Sequence, residues 1–108
     1  MDSKLENNTP MDLARKVDYS KDQINSLQVV NNANGSITVL ALDKEVVIAE
    51  HKAPDDVLVQ VLEGAVVFKV EGTDHRLEAG QFIRMTPNTV HAVYAPECTK
   101  LLLTKINA

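Results

Sequence analysis

The feature that most limits the fold of this chain is a succession of short, β-branched runs that never lengthen into a helix-sized segment. INSLQVV (24–30), SITVLAL (36–42), VVIAEH (46–51), VLVQVL (57–62), AVVFKV (65–70), DHRLE (74–78), QFIRM (81–85), VHAVY (90–94) and TKLLLTKI (99–106) follow one another. Asn31-Asn32-Ala33-Asn34-Gly35, Pro54-Asp55-Asp56, Glu71-Gly72-Thr73-Asp74, Ala79-Gly80 and Pro87-Asn88 divide them. Val, Ile and aromatic side chains suit a pleated surface, whereas Gly, Pro, Asn and Asp favour the backbone angles of turns. Many short strands at this spacing predict an all-β, antiparallel sandwich or barrel over residues 24–108. Asn34-Gly35 favours a tight hairpin between the first two strands.

Residues 1–23 have a different character and predict an N-terminal arm with one short helix. Thr9 is placed to cap it and Pro10 to occupy its first position. Leu13 and Val17 would then share a face. Asp18-Tyr19-Ser20 breaks the pattern after about two turns, too short for a helix to stand alone, so the arm is expected to pack on the domain.

With 108 residues the chain suits one domain. Aromatics are 4% of it and Trp is absent, so aliphatic side chains must fill the core. The net charge of -4 and the lack of any basic stripe argue against a nucleic-acid partner. No apolar run approaches the roughly 18 residues of a membrane helix. The N-terminus lacks a signal pattern, and the single Cys98 has no disulfide partner in the chain. A soluble, cytoplasmic protein is the expectation. Residues 57–62 are apolar on nearly both faces, broken only by Gln60. A strand covered on one side alternates, so the second face is expected to meet another sheet or another chain, and a homodimer follows as an expectation.

Candidate chemistry centres on the histidines. His51 ends a run in which strand alternation puts Val47 and Ala49 on its face, and His91 shares a face with Thr89 and Val93. Both imidazoles are therefore expected at the mouth or interior of the β domain. His75 lies beside a turn between Asp74 and Arg76 and is expected in solvent. Cys98 reads as a loop residue, and Tyr94 and Gln60 as residues of the outer surface.

The run from 36 to 106 resembles a small single-domain cupin, a jelly-roll barrel of the RmlC-like type. The family's first motif is G-x5-H-x-H-x3,4-E-x6-G and its second is G-x5-P-x-G-x2-H-x3-N. Counted back from Gly64, the glutamate position falls on Val57, the two histidine positions on Ala53 and His51, and the opening glycine on Glu45. In the second motif Gly80 and His91 match, Thr86 and Asn88 stand at the proline and inner glycine positions, and Ala95 replaces the closing Asn. The resemblance implies a divalent metal held by three His and one Glu. Only His51 and His91 match that set, so the metal site is read as degenerate, with the two histidines as the ligands of any weak ion. Asp55 and Asp56 are conceivable substitutes, with strand parity against Asp56.

Two functions follow as expectations, and a third stands beside them. The first is a binding module whose pocket, lined by Val47, Val57, Val59 and Val93, takes a small organic molecule anchored on His51 and His91. The alternative is a metal-dependent cupin enzyme (an oxygenase, isomerase or epimerase) using the same two histidines, or a metal-free enzyme with one of them as base. The third is a structural homodimer with a vestigial pocket.

Overall fold

The computed structural model describes residues 5–108, so residues 1–4 of the expected arm lie outside the described part. All nine expected strands are present: β1 (Ile24–Asn32), β2 (Gly35–Leu42), β3 (Val47–His51), β4 (Asp56–Glu63), β5 (Ala65–Val70), β6 (Thr73–Glu78), β7 (Phe82–Met85), β8 (His91–Tyr94) and β9 (Thr99–Ile106). They form two antiparallel sheets, one ordered β1-β2-β9-β4-β7 and the other β3-β8-β5-β6. The fold is a jelly roll of two facing sheets.

Strand alternation explains how these sheets meet. Along β4, Val57, Val59 and Val61 are buried and point inward, while Leu58, Gln60 and Leu62 are half-buried on the opposite face. Val61 sits opposite Leu101 of β9, and both join Leu42, Val66, Phe68 and Val93 in the core between the sheets. Phe68 is 1% exposed. Burial of such a side chain contributes about 1.5–3 kcal/mol. With so few aromatics, valine and leucine supply most of the remaining core, as the composition requires.

Chain direction changes between the sheets at Gly64, which joins β4 to β5 with φ +83°. A Cβ there would lie 2.2 Å from the carbonyl oxygen of Cys98, so both the backbone angle and the close approach require glycine. The β1–β2 hairpin forms as expected, but one residue earlier. Asn32 pairs with Gly35, and Ala33-Asn34 makes the turn. The Asn32 Oδ1 accepts from the Asn34 amide at 2.8 Å, a local side-chain turn that competes with the Asn-Gly geometry.

The arm departs further from expectation. Instead of a helix capped by Thr9 there is one 3₁₀ turn, Leu13–Lys16, entered through Asp12. The Thr9 hydroxyl donates to the Asn7 carbonyl instead, which stabilises a non-helical backbone. Packing of the arm is as expected. Leu13, Val17 and Tyr19 cover Leu27, Val29, Val39, Ala41 and Leu62 on the outer face of the five-stranded sheet, forming a second apolar cluster. A register shift in β4 between Val61 and Glu63 presents Glu63 to this arm. The Tyr19 hydroxyl donates to Glu63 Oε2 at 2.7 Å. Lys100 Nζ lies 3.9 Å from that carboxylate and 5.1 Å from the Tyr19 ring centre, and it donates to the Ala14 carbonyl. Burial, then the hydrogen bond to Glu63, push the Tyr19 phenol well above its ordinary pKa.

Candidate functional site

His51 closes β3 and His91 opens β8, and the pairing of these strands sets the two residues directly opposite each other. Their ring centres are 4.1 Å apart, with the planes inclined at 59°. His91 is 7% exposed, whereas His51 lies at the exposed end of its strand. Each ring is fixed in the same way. His51 Nδ1 is 2.9 Å from the Ala49 carbonyl and His91 Nδ1 is 3.0 Å from the Thr89 carbonyl. A carbonyl oxygen only accepts, so each ring donates from Nδ1, and a ring in its neutral form then has its lone pair on Nε2. Both rings line one cavity, and neither Nε2 has a hydrogen-bond partner among the described residues.

Beneath the rings is a cavity of about 60 Å³ lined by apolar side chains, among them Ile48, Val59, Phe68 and Val93. A space of this size takes only a small group. Small-molecule sites more often span about 300–1,000 Å³.

Four of the six expected wall residues come together there: His51, His91, Val59 and Val93. Two do not. Val47 is 63% exposed on the outer side of β3, opposite Tyr94, and Ile48 takes the inward position. The cause is a bulge. Ile48 pairs with Val93 and His51 with His91, so β3 spends one residue more than β8 between these pairs. The extra residue inverts alternation, and His51 points inward although Val47 does not. Val57 does face inward, but opposite Met85, and both are absorbed into the core. Leu40, Leu101 and Leu103 complete the wall and were legible from alternation in β2 and β9; Ile48 was not, because a bulge leaves no mark in composition.

The remaining polar residues fall elsewhere. Asp56 lies on the outer side of β4, and His75 is exposed on β6. Cys98 is half-buried and its thiol contacts Asp43 Oδ1 at 3.3 Å. Asp43 also accepts from the Asp22 amide, which, with the Cys98 contact, holds its carboxyl below the usual range.

Comparison with known proteins agrees with this architecture. The profile of the family described as "Cupin domain" matches residues 38–104. The chain belongs to the cupin family. Among solved structures, a conserved protein of unknown function from Streptococcus pyogenes is 31% identical, with TM-score 0.90 over 98% of this chain and 93% of that one. A cupin 2 conserved barrel domain protein from Leptotrichia buccalis is also 31% identical, with TM-score 0.84 over 90% of this chain and 47% of the longer one. A cupin superfamily protein from Desulfitobacterium hafniense shares the fold at TM-score 0.91 and 17% identity, covering 98% and 97% of the two chains. No curated protein matches.

Within this cupin, the motif departures have structural reasons. Glu45 and Asn88 replace family glycines yet keep left-handed backbones, at φ 69° and 65°. Their amides donate to Ala95 and Ala53 carbonyls at 2.6 and 2.7 Å, contacts that hold the loops in place. Asn is among the residues that tolerate this region best. The Asn88–Ala53 bond ties the loop before His91 to the loop after His51.

The metal implied by the family fits these residues poorly. Two imidazole Nε2 atoms are suitable ligands, each with the backbone support on Nδ1 that metal-bound histidines commonly show. The other two positions are Ala53 and Val57, both packed as apolar groups. Among the described residues no cluster of three or more His, Cys, Asp or Glu forms, and neither Asp55 nor Asp56 joins the histidine pair. Protein-held zinc ordinarily has three or four protein ligands.

Among the described residues no helix is long and apolar enough to cross a membrane.

Proposed function

We propose that this cupin is a binding module that captures the polar end of a small organic molecule, a carboxylate or hydroxyl, between His51 and His91. The observation that carries this reading is the matched fixation of the two rings. Each is held through Nδ1 by a backbone carbonyl, which leaves its Nε2 without a hydrogen-bond partner among the described residues, and both rings line the same cavity. Neutral, they accept from hydroxyl groups; protonated, they donate to a carboxylate. The narrow apolar cavity below favours a ligand that inserts one small group, while its remainder lies across the mouth beside the exposed His51. His51 and His91 are the anchors, with Ile48, Val59 and Val93 as apolar walls. Metal-assisted catalysis by the same pair would need donors that Ala53 and Val57 do not supply.

The test is a titration of untagged protein with acetate, glycolate and larger 2-hydroxy acids, followed through the histidine ring nitrogens by long-range ¹H–¹⁵N NMR. Without ligand, both rings should show the Nδ1–H tautomer. Saturable shifts at Nε2 of both rings, abolished in His91→Ala, support the reading. One equivalent of manganese, iron, nickel or zinc retained through chelation, and lost in both His51→Ala and His91→Ala, would overturn it in favour of a metalloenzyme.

A further inference from the structure

The turn between β5 and β6 reaches the histidine site through a residue that the turn itself does not favour. Val70 pairs with Thr73, so Glu71 and Gly72 are the two central residues, with φ 48° and 82°. Left-handed angles at both positions are those of a type I′ turn, which favours Asn, Asp or Gly at the first. Glu71 carries a Cβ and a long side chain into a backbone region that few such residues adopt. An outlier of this kind, held by its surroundings, points to a role beyond the turn.

The hydrogen bonds of Glu71 indicate that role. Pairing of β5 with β8 ends at Val70 and His91. One residue further, the Glu71 amide donates to the Val90 carbonyl at 2.9 Å, and the return bond, from the Val90 amide, ends on Glu71 Oε1 at 3.2 Å. That Val90 N–H belongs to the same peptide group as the Thr89 C=O, and the Thr89 carbonyl is the acceptor for His91 Nδ1 at 3.0 Å. A carboxylate, one peptide group and an imidazole therefore stand in series. A negative acceptor on the N–H side polarises the peptide and strengthens its carbonyl as an acceptor on the other. The Thr89 hydroxyl, which donates to the Thr86 carbonyl at 2.8 Å, anchors the same segment from the other end.

We propose that Glu71 is a positioning residue for His91, holding the ring in its Nδ1–H form through the Thr89–Val90 peptide. Its consequence for ligand capture rests on the binding reading above, whereas the ring's tautomer in the free protein does not. Glu71 is exposed. Water competes for its bond, so the expected effect is a several-fold weakening of ligand binding and not a loss.

Long-range ¹H–¹⁵N NMR of the free protein at about pH 8, above the ordinary imidazole pKa, tests it. The decisive variant is Glu71→Asn. Asn before Gly suits a type I′ turn better than Glu does, so the melting temperature should hold or rise. Its side chain is one methylene too short to keep the Val90 bond. His91 should therefore gain the Nε2–H form, while His51 keeps the wild-type pattern. Glu71→Gln retains a side-chain oxygen at the same reach and should preserve the His91 pattern. Glycolate added to the same samples should bind Glu71→Asn about two- to tenfold more weakly than wild type. An unchanged His91 tautomer in Glu71→Asn, a Gln variant as disturbed as the Asn variant, an equal change in both rings, or wild-type glycolate affinity despite a changed ring would each overturn the proposal. Failure of the wild type to bind glycolate would count against the ligand reading, and the tautomer comparison would still decide the role of Glu71.

Discussion

The two faces of β4 use nearly the same side chains for different ends. Inward, Val57, Val59 and Val61 meet a complete second sheet, and the space left beneath the histidines is about 60 Å³. Outward, Leu62 is covered by the arm, while Leu58 borders an open groove of about 610 Å³. Aliphatic packing closes a cavity whenever a second layer is present, and leaves one wherever the layer ends. Of these two spaces the larger lies outside the sheet, and the histidine pair lines the smaller.

The strongest way to break this contrast is to remove a side chain from each region. Phe68→Ala, beneath the histidines, should destabilise the protein by about 3–5 kcal/mol in a urea titration, from lost burial and a residual cavity. Val47→Ala, at the position expected from alternation to line the same pocket, should stay within ~0.5 kcal/mol, as exposed substitutions do. Equal effects would mean that β3 is not bulged between Ile48 and His51.

The arm-covered end of the outer face should behave as core. Val17, 3% exposed, anchors it. Val17→Ala should cost about 2 kcal/mol in the same measurement and increase protease cleavage between residues 13 and 23. No change would show that the arm rests on the sheet without stabilising it.

A smaller effect belongs to the rim of that cover. The Tyr19 phenol is raised above its ordinary pKa by burial and by Glu63. The folded state therefore holds this proton where the unfolded chain has released it, and stability should fall as pH rises above about 10. Tyr19→Phe should flatten that alkaline slope in denaturation curves recorded between neutral pH and pH 11. An unchanged slope would assign it to other groups.

Much of the fold was readable because it depends on local rules. Nine short β-rich runs and their Gly, Pro, Asn and Asp breaks located every strand to within two residues, and the same reading assigned Val57, Val59, His91 and Val93 to the interior. The errors have two kinds of cause, a break of register and local side-chain hydrogen bonds. Val47 was misplaced because alternation holds only while the register is unbroken, and β3 gains a residue against β8. The cap at Thr9 failed because its hydroxyl found the Asn7 carbonyl. The hairpin shifted because Asn32 formed a side-chain turn.

The sequence by itself determined the antiparallel β architecture, the cupin motifs, and the loss of two ligand positions to Ala53 and Val57, since each is a matter of residue type at fixed spacing. Only the tertiary structure decided that His51 and His91 stand 4.1 Å apart with the same nitrogen fixed in each ring. It alone decided too that the larger space lies outside the sheet. Those outcomes depend on register and on which layer covers which face, and neither is a property of any single segment.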